Sequence, residues 1–196
     1  MTTPQKTRPL KVILVGGSGV GKTSLINAYF DQPYENEAQP TVAPAYCGAT
    51  VTLEDQTKVE LQIWDTAGQE RFQSIGGMFY RESDIAFICF DTENKSTIST
   101  WVSRVRNQVS NCILFLVATK SDLMSENDKN ILIADGRNLL KEFNASRFFL
   151  TSAAKNIGVK ELFLAAAKNI TTICKASQSA TVQIDKPVEP SKGCKC

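Results

Sequence analysis

The chain has 196 residues, a formal net charge of +2 and no histidine. This length suits a single domain with a substantial core, and the small net charge gives no electrostatic reason to expect a nucleic-acid partner. No apolar run approaches the roughly 20 residues that span a bilayer, and the first residues, MTTPQKTRPLK, lack the apolar stretch of a signal peptide.

The first half of the chain predicts a strand, a helix, a loop and a hairpin. An apolar strand is predicted at 10–16 and a helix from 22 to about 30, followed by a loop with three prolines at 31–44. Segments 45–54 and 57–64 alternate apolar and polar residues around a turn. This alternation predicts an antiparallel hairpin at a sheet edge.

The second half alternates apolar strands with helical segments. Such alternation predicts an α/β fold whose doubly wound sheet is mostly parallel, with six strands, one antiparallel edge hairpin and helices on both faces. Ligands of these sheets bind at the carboxyl ends of the strands. The further strands are predicted at 84–91, 112–118 and 146–152, and the helices at about 96–109, 128–143 (which contains Gly136) and 158–174.

The domain organisation predicted from this pattern is simple. Residues 1–9 form a flexible lead-in, 10–175 a folded domain, and 176–196 a polar, proline-containing tail without periodicity. Four cysteines stand singly, which is typical of small buried side chains in a reducing compartment rather than of a disulfide or zinc framework. They are Cys47, Cys89, Cys112 and Cys174.

The segment GGSGVGKTS at 16–24 matches the pattern G-x-x-x-x-G-K-[ST] and lies between the first strand and the first helix. Glycines let successive backbone N–H groups surround a β-phosphate, and the helix N-terminus adds a positive field. Lys22 supplies a charge for the β- and γ-phosphates, and the Thr23 hydroxyl can bind Mg²⁺. A simple Gly/Ser turn is the less favoured alternative. The predicted phosphate-binding residues are Gly17, Ser18, Gly19, Val20, Gly21, Lys22, Thr23 and Ser24.

A second motif, WDTAGQE at 64–70, follows the predicted hairpin. Asp65 can hold the Mg²⁺ ion through a water, and Gly68 can present its N–H to a γ-phosphate. Gln69 has the length to orient a water for in-line attack and is the predicted catalytic residue. Taken alone, the motif could also be a surface turn that ends an edge strand.

The third motif, Thr119 to Asp122, follows the strand CILFLVA. The Asp122 carboxylate can accept from the N1–H and amine of guanine, a donor pair that adenine lacks, and an unpaired buried group costs about 1–3 kcal/mol. The Lys120 stem can cover the base. The predicted base contacts are Thr119, Lys120, Asp122 and Leu123, the backbone of Ser152, Ala153 and Ala154, and Tyr34, which lies edge-on to the base.

Together, these motifs resemble the Ras superfamily of small GTPases, and within it most closely the Rab family. The similarity runs from about Leu10 to Cys174 and resumes at the C-terminus. WDTAGQERF, followed by Tyr80 and Arg81, is similar to Rab sequences. So is an aromatic trio that shapes the effector surface in that family, here Tyr46, Trp64 and Phe79.

The resemblance implies the G-domain fold of P-loop NTPases, binding of GTP and GDP with Mg²⁺, and slow GTP hydrolysis. It implies two segments that respond to the nucleotide, switch I at 32–46 and switch II at 66–81. Thr41 would complete the Mg²⁺ shell, with Thr23 and Asp65, and sense the γ-phosphate, although alone it could be a solvated loop threonine. Loss of that phosphate would release both switches.

The resemblance also implies a monomer that works with an exchange factor, a GTPase-activating protein, effectors, and a GDP-dissociation inhibitor or escort protein. The phosphate loop and switch I contain no arginine, so the activating protein is expected to supply an arginine in trans. Arg71 and Arg81 in switch II are more typical of structural or partner contacts.

Several positions depart from the Rab pattern. Gly17 replaces an acidic residue and should be tolerated because the backbone binds the phosphate. Ala43 replaces a glycine and precedes Pro44, which favours a stiffer switch I. Thr119 replaces asparagine, as in Rho-type GTPases, and Ala154 replaces lysine. The last two changes are expected to loosen the nucleotide modestly.

The chain ends Cys194-Lys195-Cys196. This ending resembles the doubly geranylgeranylated C-x-C of Rabs, and two lipid chains anchor a protein stably. Unmodified thiols or a metal-binding pair are the alternatives, the second disfavoured by the absence of histidine. Lipidation predicts a location on the cytoplasmic face of intracellular membranes, in exchange with the cytosol.

Three functions remain open from the sequence. A membrane-cycling GTPase of vesicle traffic is favoured, and the switch sequences RFQSIG and TVAPAY favour endosomal membranes. A nucleotide-binding adaptor with negligible hydrolysis is a second hypothesis, motivated by Ala43, Thr119 and Ala154. A Rho-type cytoskeletal switch is a third, weakened by the missing Rho insert and the C-x-C ending.

Overall fold

The computed structural model describes residues 8–35, 41, 45–66 and 79–170. Within these ranges, six strands form one sheet and four α-helices pack against it. The strands are β1 (Leu10–Val15), β2 (Ala45–Thr52), β3 (Lys58–Asp65), β4 (Ile85–Phe90), β5 (Ile113–Ala118) and β6 (Arg147–Leu150). The helices are α1 (Lys22–Tyr29), α2 (Ile98–Gln108), α3 (Glu126–Glu142) and α4 (Val159–Ala167).

The strand order in the sheet is β2-β3-β1-β4-β5-β6. Every neighbouring pair is parallel except β2 and β3, which form an antiparallel hairpin at one edge. The alternation in β3 explains this edge position, because Val59, Leu61 and Ile63 are buried while Lys58 and Glu60 are exposed. The predicted α/β fold, with six strands and one antiparallel edge hairpin, is therefore confirmed.

The core lies on both faces of the sheet. In β1, Val12 and Leu14 pack with the face that carries α1 and α4, whereas Ile13 and Val15 pack with the face that carries α2 and α3. Because successive side chains of a strand point to opposite faces, strands buried on both sides must be apolar throughout. This is why β4 is wholly apolar, and it confirms the prediction of helices on both faces.

Several helix boundaries differ from the predicted ones, mostly by one or two residues. Helix α3 begins at Glu126 rather than 128, because Ser125 caps it by accepting from the N–H of Asp128 at 3.1 Å. Helix α4, which the sequence predicts over about 158–174, ends at Ala167, and residues 171–174 lie outside the described residues. The Asn169 side chain donates to the Ala165 carbonyl at 2.8 Å, and such side-chain bonds compete with a helical ladder.

The structure also explains why a glycine lies inside α3. A Cβ on Gly136 would lie 3.2 Å from two ring carbons of Phe148, so the missing side chain lets the helix approach β6 closely. None of the helices in the described ranges has the length and apolar character that a membrane span needs. Apart from Arg8 and Pro9, the predicted segments 1–9 and 176–196 lie outside the described residues, so the domain boundaries stay predictions.

Candidate nucleotide-binding site

A cavity of about 490 Å³ opens beside the phosphate loop and the segments that follow β5 and β6. This is the carboxyl edge of the parallel strands, where sheets of this kind bind ligands. Most of the predicted nucleotide-binding residues line this one cavity. They are Ser18, Gly19, Gly21, Lys22, Thr23, Ser24, Tyr34, Thr41, Thr119, Lys120, Asp122, Leu123, Ala153 and Ala154.

The phosphate loop owes its shape to glycines. Gly16, Gly19 and Gly21 have φ angles of 151°, 74° and 93°, a range that L side chains rarely adopt. A Cβ on Gly16 would also lie 2.2 Å from the carbonyl oxygen of Cys89. The loop can therefore lie against β4 and turn sharply into α1, which begins at Lys22 and places its N-terminus beside the cavity.

Lys22 is held inside the loop, with 5% of its surface exposed. Its ammonium group donates to the carbonyl oxygens of Gly16 at 2.9 Å and Gly17 at 2.8 Å. Burial lowers the pKa of Lys22 from its usual value of 10.5. Because an ammonium group has three N–H donors, a third can meet an anion in the cavity, and that anion would stabilise the charged form.

Three oxygen-bearing side chains meet beside Lys22. The Thr23 hydroxyl donates to Asp65 Oδ2 at 2.7 Å and lies 2.7 Å from the hydroxyl of Thr41. The other carboxylate oxygen, Asp65 Oδ1, is buried without a hydrogen-bond partner in the described part of the chain. Burial raises the pKa of Asp65, although the Thr23 hydrogen bond acts against that rise. A cation here would stabilise the carboxylate.

This oxygen cluster fits the Mg²⁺ ion that the sequence predicts. Mg²⁺ prefers oxygen ligands, keeps several waters, and usually takes one or two protein groups together with phosphate oxygens. The described residues accordingly contain no group of three or more His, Cys, Asp or Glu side chains that could hold a metal alone. Thr23, Thr41 and Asp65 would supply part of the ligand shell of such an ion, and a polyphosphate would supply further oxygens.

The base side of the cavity is built from the ends of β5 and β6. Ser152, which is fully buried, donates to Asp122 Oδ1 at 2.5 Å and accepts from the N–H of Lys155 at 3.1 Å. The N–H of Ser121 donates to the Thr151 carbonyl at 3.0 Å. These bonds fix the two segments to each other and set the orientation of the Asp122 carboxylate.

Thr119 is almost fully buried in the cavity wall and connects three parts of the chain. Its hydroxyl lies 2.6 Å from the carbonyl oxygen of Val20 and 3.0 Å from that of Phe90. Val20 is itself a core residue rather than a wall residue. Thr119 and Val20 thus hold the base-side loop and the phosphate loop together, whereas Lys120 and Asp122 line the cavity without such a link to the phosphate loop.

The predicted aromatic trio comes together on the outer surface. The ring centroids of Tyr46 and Trp64 are 5.3 Å apart, and those of Trp64 and Phe79 are 5.8 Å apart. Tyr46 is 54% exposed, and the ammonium of Lys11 lies 5.1 Å from the centre of the Trp64 ring. The trio forms one continuous aromatic patch, and its part in effector binding stays a prediction.

Two residues at the site escaped the sequence analysis. Asp91 directly follows β4, and its carboxylate pairs with Lys120 at 2.8 Å; Asn94 donates to the same carboxylate. The position of Asp91 in the sequence could have identified it, because a polar residue at the carboxyl end of a central parallel strand lies at the ligand-binding edge of the sheet.

Several predictions fall on residues outside the described ranges. They concern Gly68 and Gln69, the switch residues Ala43, Pro44 and Arg71, and the terminal Cys194 and Cys196. Cys174 also lies outside these ranges, whereas Cys89 and Cys112 are buried and Cys47 is partly buried.

Comparison with known families agrees with the geometry. A protein-family model described as the Ras family matches residues 11–172. The match covers most of the chain, and it includes the phosphate loop, the segment around Asp65 and the base-side residues Thr119 to Asp122.

Proposed function

This chain belongs to the Ras family, and from that membership we propose that it is a Rab-like switch that controls vesicle and endosomal traffic. Family membership makes it a small GTPase that is regulated by guanine nucleotides. The narrower proposal adds Rab character, endosomal membranes and a prenyl anchor at Cys194 and Cys196. The protein would cycle between the cytosol and the cytoplasmic face of these membranes.

One observation carries the enzymatic part of the proposal. The Thr23 and Thr41 hydroxyls and the Asp65 carboxylate meet beside the buried ammonium of Lys22, at the wall of a cavity that the phosphate loop bounds. A bound Mg²⁺ would neutralise charge on the β- and γ-phosphates there. Lys22 would hold the same phosphates, and the backbone N–H groups of the loop would orient them.

Base selection follows from the orientation of Asp122. Because Ser152 donates to one carboxylate oxygen, the carboxylate is held at the cavity wall to accept from the paired donors of guanine. The stem of Lys120 would cover one face of the base, and Tyr34, which is 49% exposed and also lines the cavity, would lie at its edge.

The contact between Thr23 and Thr41 supports the switch mechanism. Thr41 belongs to the predicted switch I, and its hydroxyl lies within hydrogen-bond distance of a residue on α1. A γ-phosphate would strengthen this attachment, and its loss would weaken it. Gln69 would orient the attacking water, and an activating protein would supply the arginine finger.

Two features support the Rab character of the chain: the aromatic patch on its surface, and the cysteines at positions 194 and 196. Tyr46 belongs to the predicted switch I and Phe79 to the predicted switch II, and Trp64 contacts both rings. A partner that binds this patch could therefore read the nucleotide state. Incubation of the full chain with geranylgeranyl diphosphate and the Rab-type transferase and escort should add two lipid groups by mass. The variants Cys194→Ser and Cys196→Ser should each accept one, and addition of none to the wild type would overturn the anchor.

The decisive experiment examines nucleotide bound to the purified protein and follows added GTP in the presence of Mg²⁺. We expect stoichiometric GDP and slow conversion of GTP. Asp122→Asn is the control for base selection. The asparagine amide can donate to the 2-oxo group of xanthine but matches the amine of guanine poorly. The nucleotide preference of the protein should therefore move from guanosine toward xanthosine nucleotides. Absence of any guanine-nucleotide binding would overturn the proposal.

A second candidate, a nucleotide-binding adaptor with negligible hydrolysis, is favoured by one feature of the cavity. Ala154 lines it where the family usually has lysine, so the base is less enclosed. Gln69→Leu separates the two functions. A sharp fall in turnover supports the hydrolysing switch, whereas a wild type already as slow as the variant supports the adaptor.

A further inference from the structure

The end of strand β4 holds two consecutive residues of the base-side loop. The carbonyl of Phe90, the last residue of β4, accepts from the Thr119 N–H at 2.8 Å and lies 3.0 Å from the Thr119 hydroxyl. The next residue, Asp91, forms an ion pair with Lys120 at 2.8 Å. One strand end therefore holds Thr119 through the backbone and Lys120 through a side chain.

Both oxygens of the Asp91 carboxylate are engaged. Oδ2 accepts from the ammonium of Lys120, while Oδ1 accepts from the backbone N–H of Asn94 at 3.0 Å and from its side-chain amide at 2.7 Å. The residue is only 5% exposed. Burial raises the pKa of Asp91, but the hydrogen bonds from Lys120 and Asn94 outweigh it and keep the pKa below 3.8. The carboxylate is thus ionised and rigidly held.

Lys120 needs such an anchor because its backbone is strained. It has φ 55° and ψ 35°, in the left-handed region, which costs an L residue about 1–2 kcal/mol. Strained residues of this kind persist only where neighbouring contacts hold them. The side chain lines the nucleotide cavity, so the contact that fixes its far end also fixes the stem along the cavity wall.

We propose that Asp91 is a positioning residue of the guanine site, which holds Lys120 against the base and thereby prolongs the lifetime of the nucleotide complex. The inference rests on the proposed function, because it needs a base beside Lys120. It goes further by assigning a role to a residue that does not line the nucleotide cavity. Asn94 supports Asp91 and also lies near the phosphate loop, since a Cβ on Gly17 would be 3.7 Å from its amide oxygen.

The chain offers a matched control for this ion pair. Lys95 and Asp135 form another lysine–aspartate contact at 2.9 Å, and neither side chain lines the nucleotide cavity. Asp135→Asn therefore removes the same charge from a lysine–aspartate pair, although from a more exposed aspartate, without changing a residue of the cavity. Any general effect of net charge on nucleotide release should appear equally in this variant.

The test measures the dissociation rate of a fluorescent GDP analogue from the full-length, Mg²⁺-loaded protein. Asp91→Asn keeps the size of the side chain and an acceptor for Asn94 but loses the charge. We expect release about three- to thirtyfold faster, which is less than for a fully buried hydrogen bond between charged groups because the Lys120 side chain is 38% exposed. We expect an unchanged rate in Asp135→Asn. An unchanged rate in Asp91→Asn would overturn the inference.

A second comparison distinguishes positioning from a merely structural role. Lys120→Met keeps the stem over the base but removes the ammonium, so it should accelerate release to a similar extent. In the Lys120→Met background, Asp91→Asn should add little, because the two residues act through one contact. If the double variant released nucleotide faster by the product of the two single effects, Asp91 would act independently of Lys120, and the inference would be overturned. If the wild type binds no guanine nucleotide, the proposed function itself fails.

Discussion

The hydroxyl of Thr119 lies 2.6 Å from the carbonyl oxygen of Val20, a residue 99 positions earlier in the chain. This bond ties the base-side loop directly to the phosphate loop. A threonine hydroxyl has one hydrogen, and both Val20 and Phe90 offer carbonyl oxygens within reach. Thr119 can therefore donate to only one of them at a time, whereas an asparagine amide has two donors.

Replacement of Thr119 by valine should weaken both stability and nucleotide retention. Valine keeps the shape but removes the only hydroxyl, so the buried Val20 carbonyl loses this donor at a cost of about 1–3 kcal/mol. Urea unfolding and nucleotide dissociation rates measure the two effects. Thr151→Val is the comparison, because the Ala118 carbonyl that its hydroxyl contacts also accepts from the Thr151 N–H at 2.7 Å. Equal losses in unfolding free energy would contradict the explanation.

Two glycines of the phosphate loop should differ in their tolerance of alanine. Gly16 and Gly19 have φ angles of 151° and 74°, and such sparsely populated regions cost an L residue about 1–3 kcal/mol. Only Gly16 also has an obstacle, the Cys89 carbonyl oxygen 2.2 Å from its would-be Cβ, whereas nothing lies within 4 Å of that of Gly19. Gly16→Ala should therefore lose about 1–3 kcal/mol more in unfolding free energy than Gly19→Ala. If the two variants lost similar unfolding free energy, backbone strain alone would account for the cost and the contact with Cys89 would not.

Replacement of Gly136 in α3 by alanine should not give the stability gain that is usual for a helical glycine. An exposed helix gains about 1 kcal/mol from Gly→Ala, but here the new Cβ would lie 3.2 Å from the Phe148 ring. We expect Gly136→Ala to be no more stable than the wild type in urea unfolding. In a Phe148→Ala background the gain should reappear, so the two changes should couple favourably. If Gly136→Ala alone gained the full amount of about 1 kcal/mol in unfolding free energy, the Phe148 ring would be able to move aside without cost.

The described cysteines should differ in reactivity toward iodoacetamide at pH 8. Burial raises the pKa of Cys89 and that of Cys112 to about 12 each, so neither forms an appreciable amount of the reactive thiolate at this pH. Cys47 is partly exposed and should react first. Peptide mass spectrometry of native and urea-unfolded protein identifies the modified sites. Rapid native labelling of Cys89 would indicate that β4 opens locally.

The elements were predictable where the pattern is local. The hairpin followed from the alternation of apolar and polar residues in 57–64, and the central strands from continuous apolar runs. The apolar pattern continues past Ala167, where α4 ends, and residues 171–174 of the predicted helix lie outside the described residues. The hydrogen bond from the Asn169 side chain to the Ala165 carbonyl leaves no mark in the hydrophobic periodicity, but it competes with the backbone hydrogen bonds of the next helical turn.

The sequence by itself determined the phosphate loop, because its shape depends on glycine backbone freedom within nine consecutive residues. It also determined which strand ends carry polar groups. Only the tertiary structure decided which of these groups meet. Strand order places the end of β4 between those of β1 and β5, which brings Asp91 to Lys120 and Thr119 to Val20. Such contacts depend on long-range strand pairing, and no local pattern contains that information.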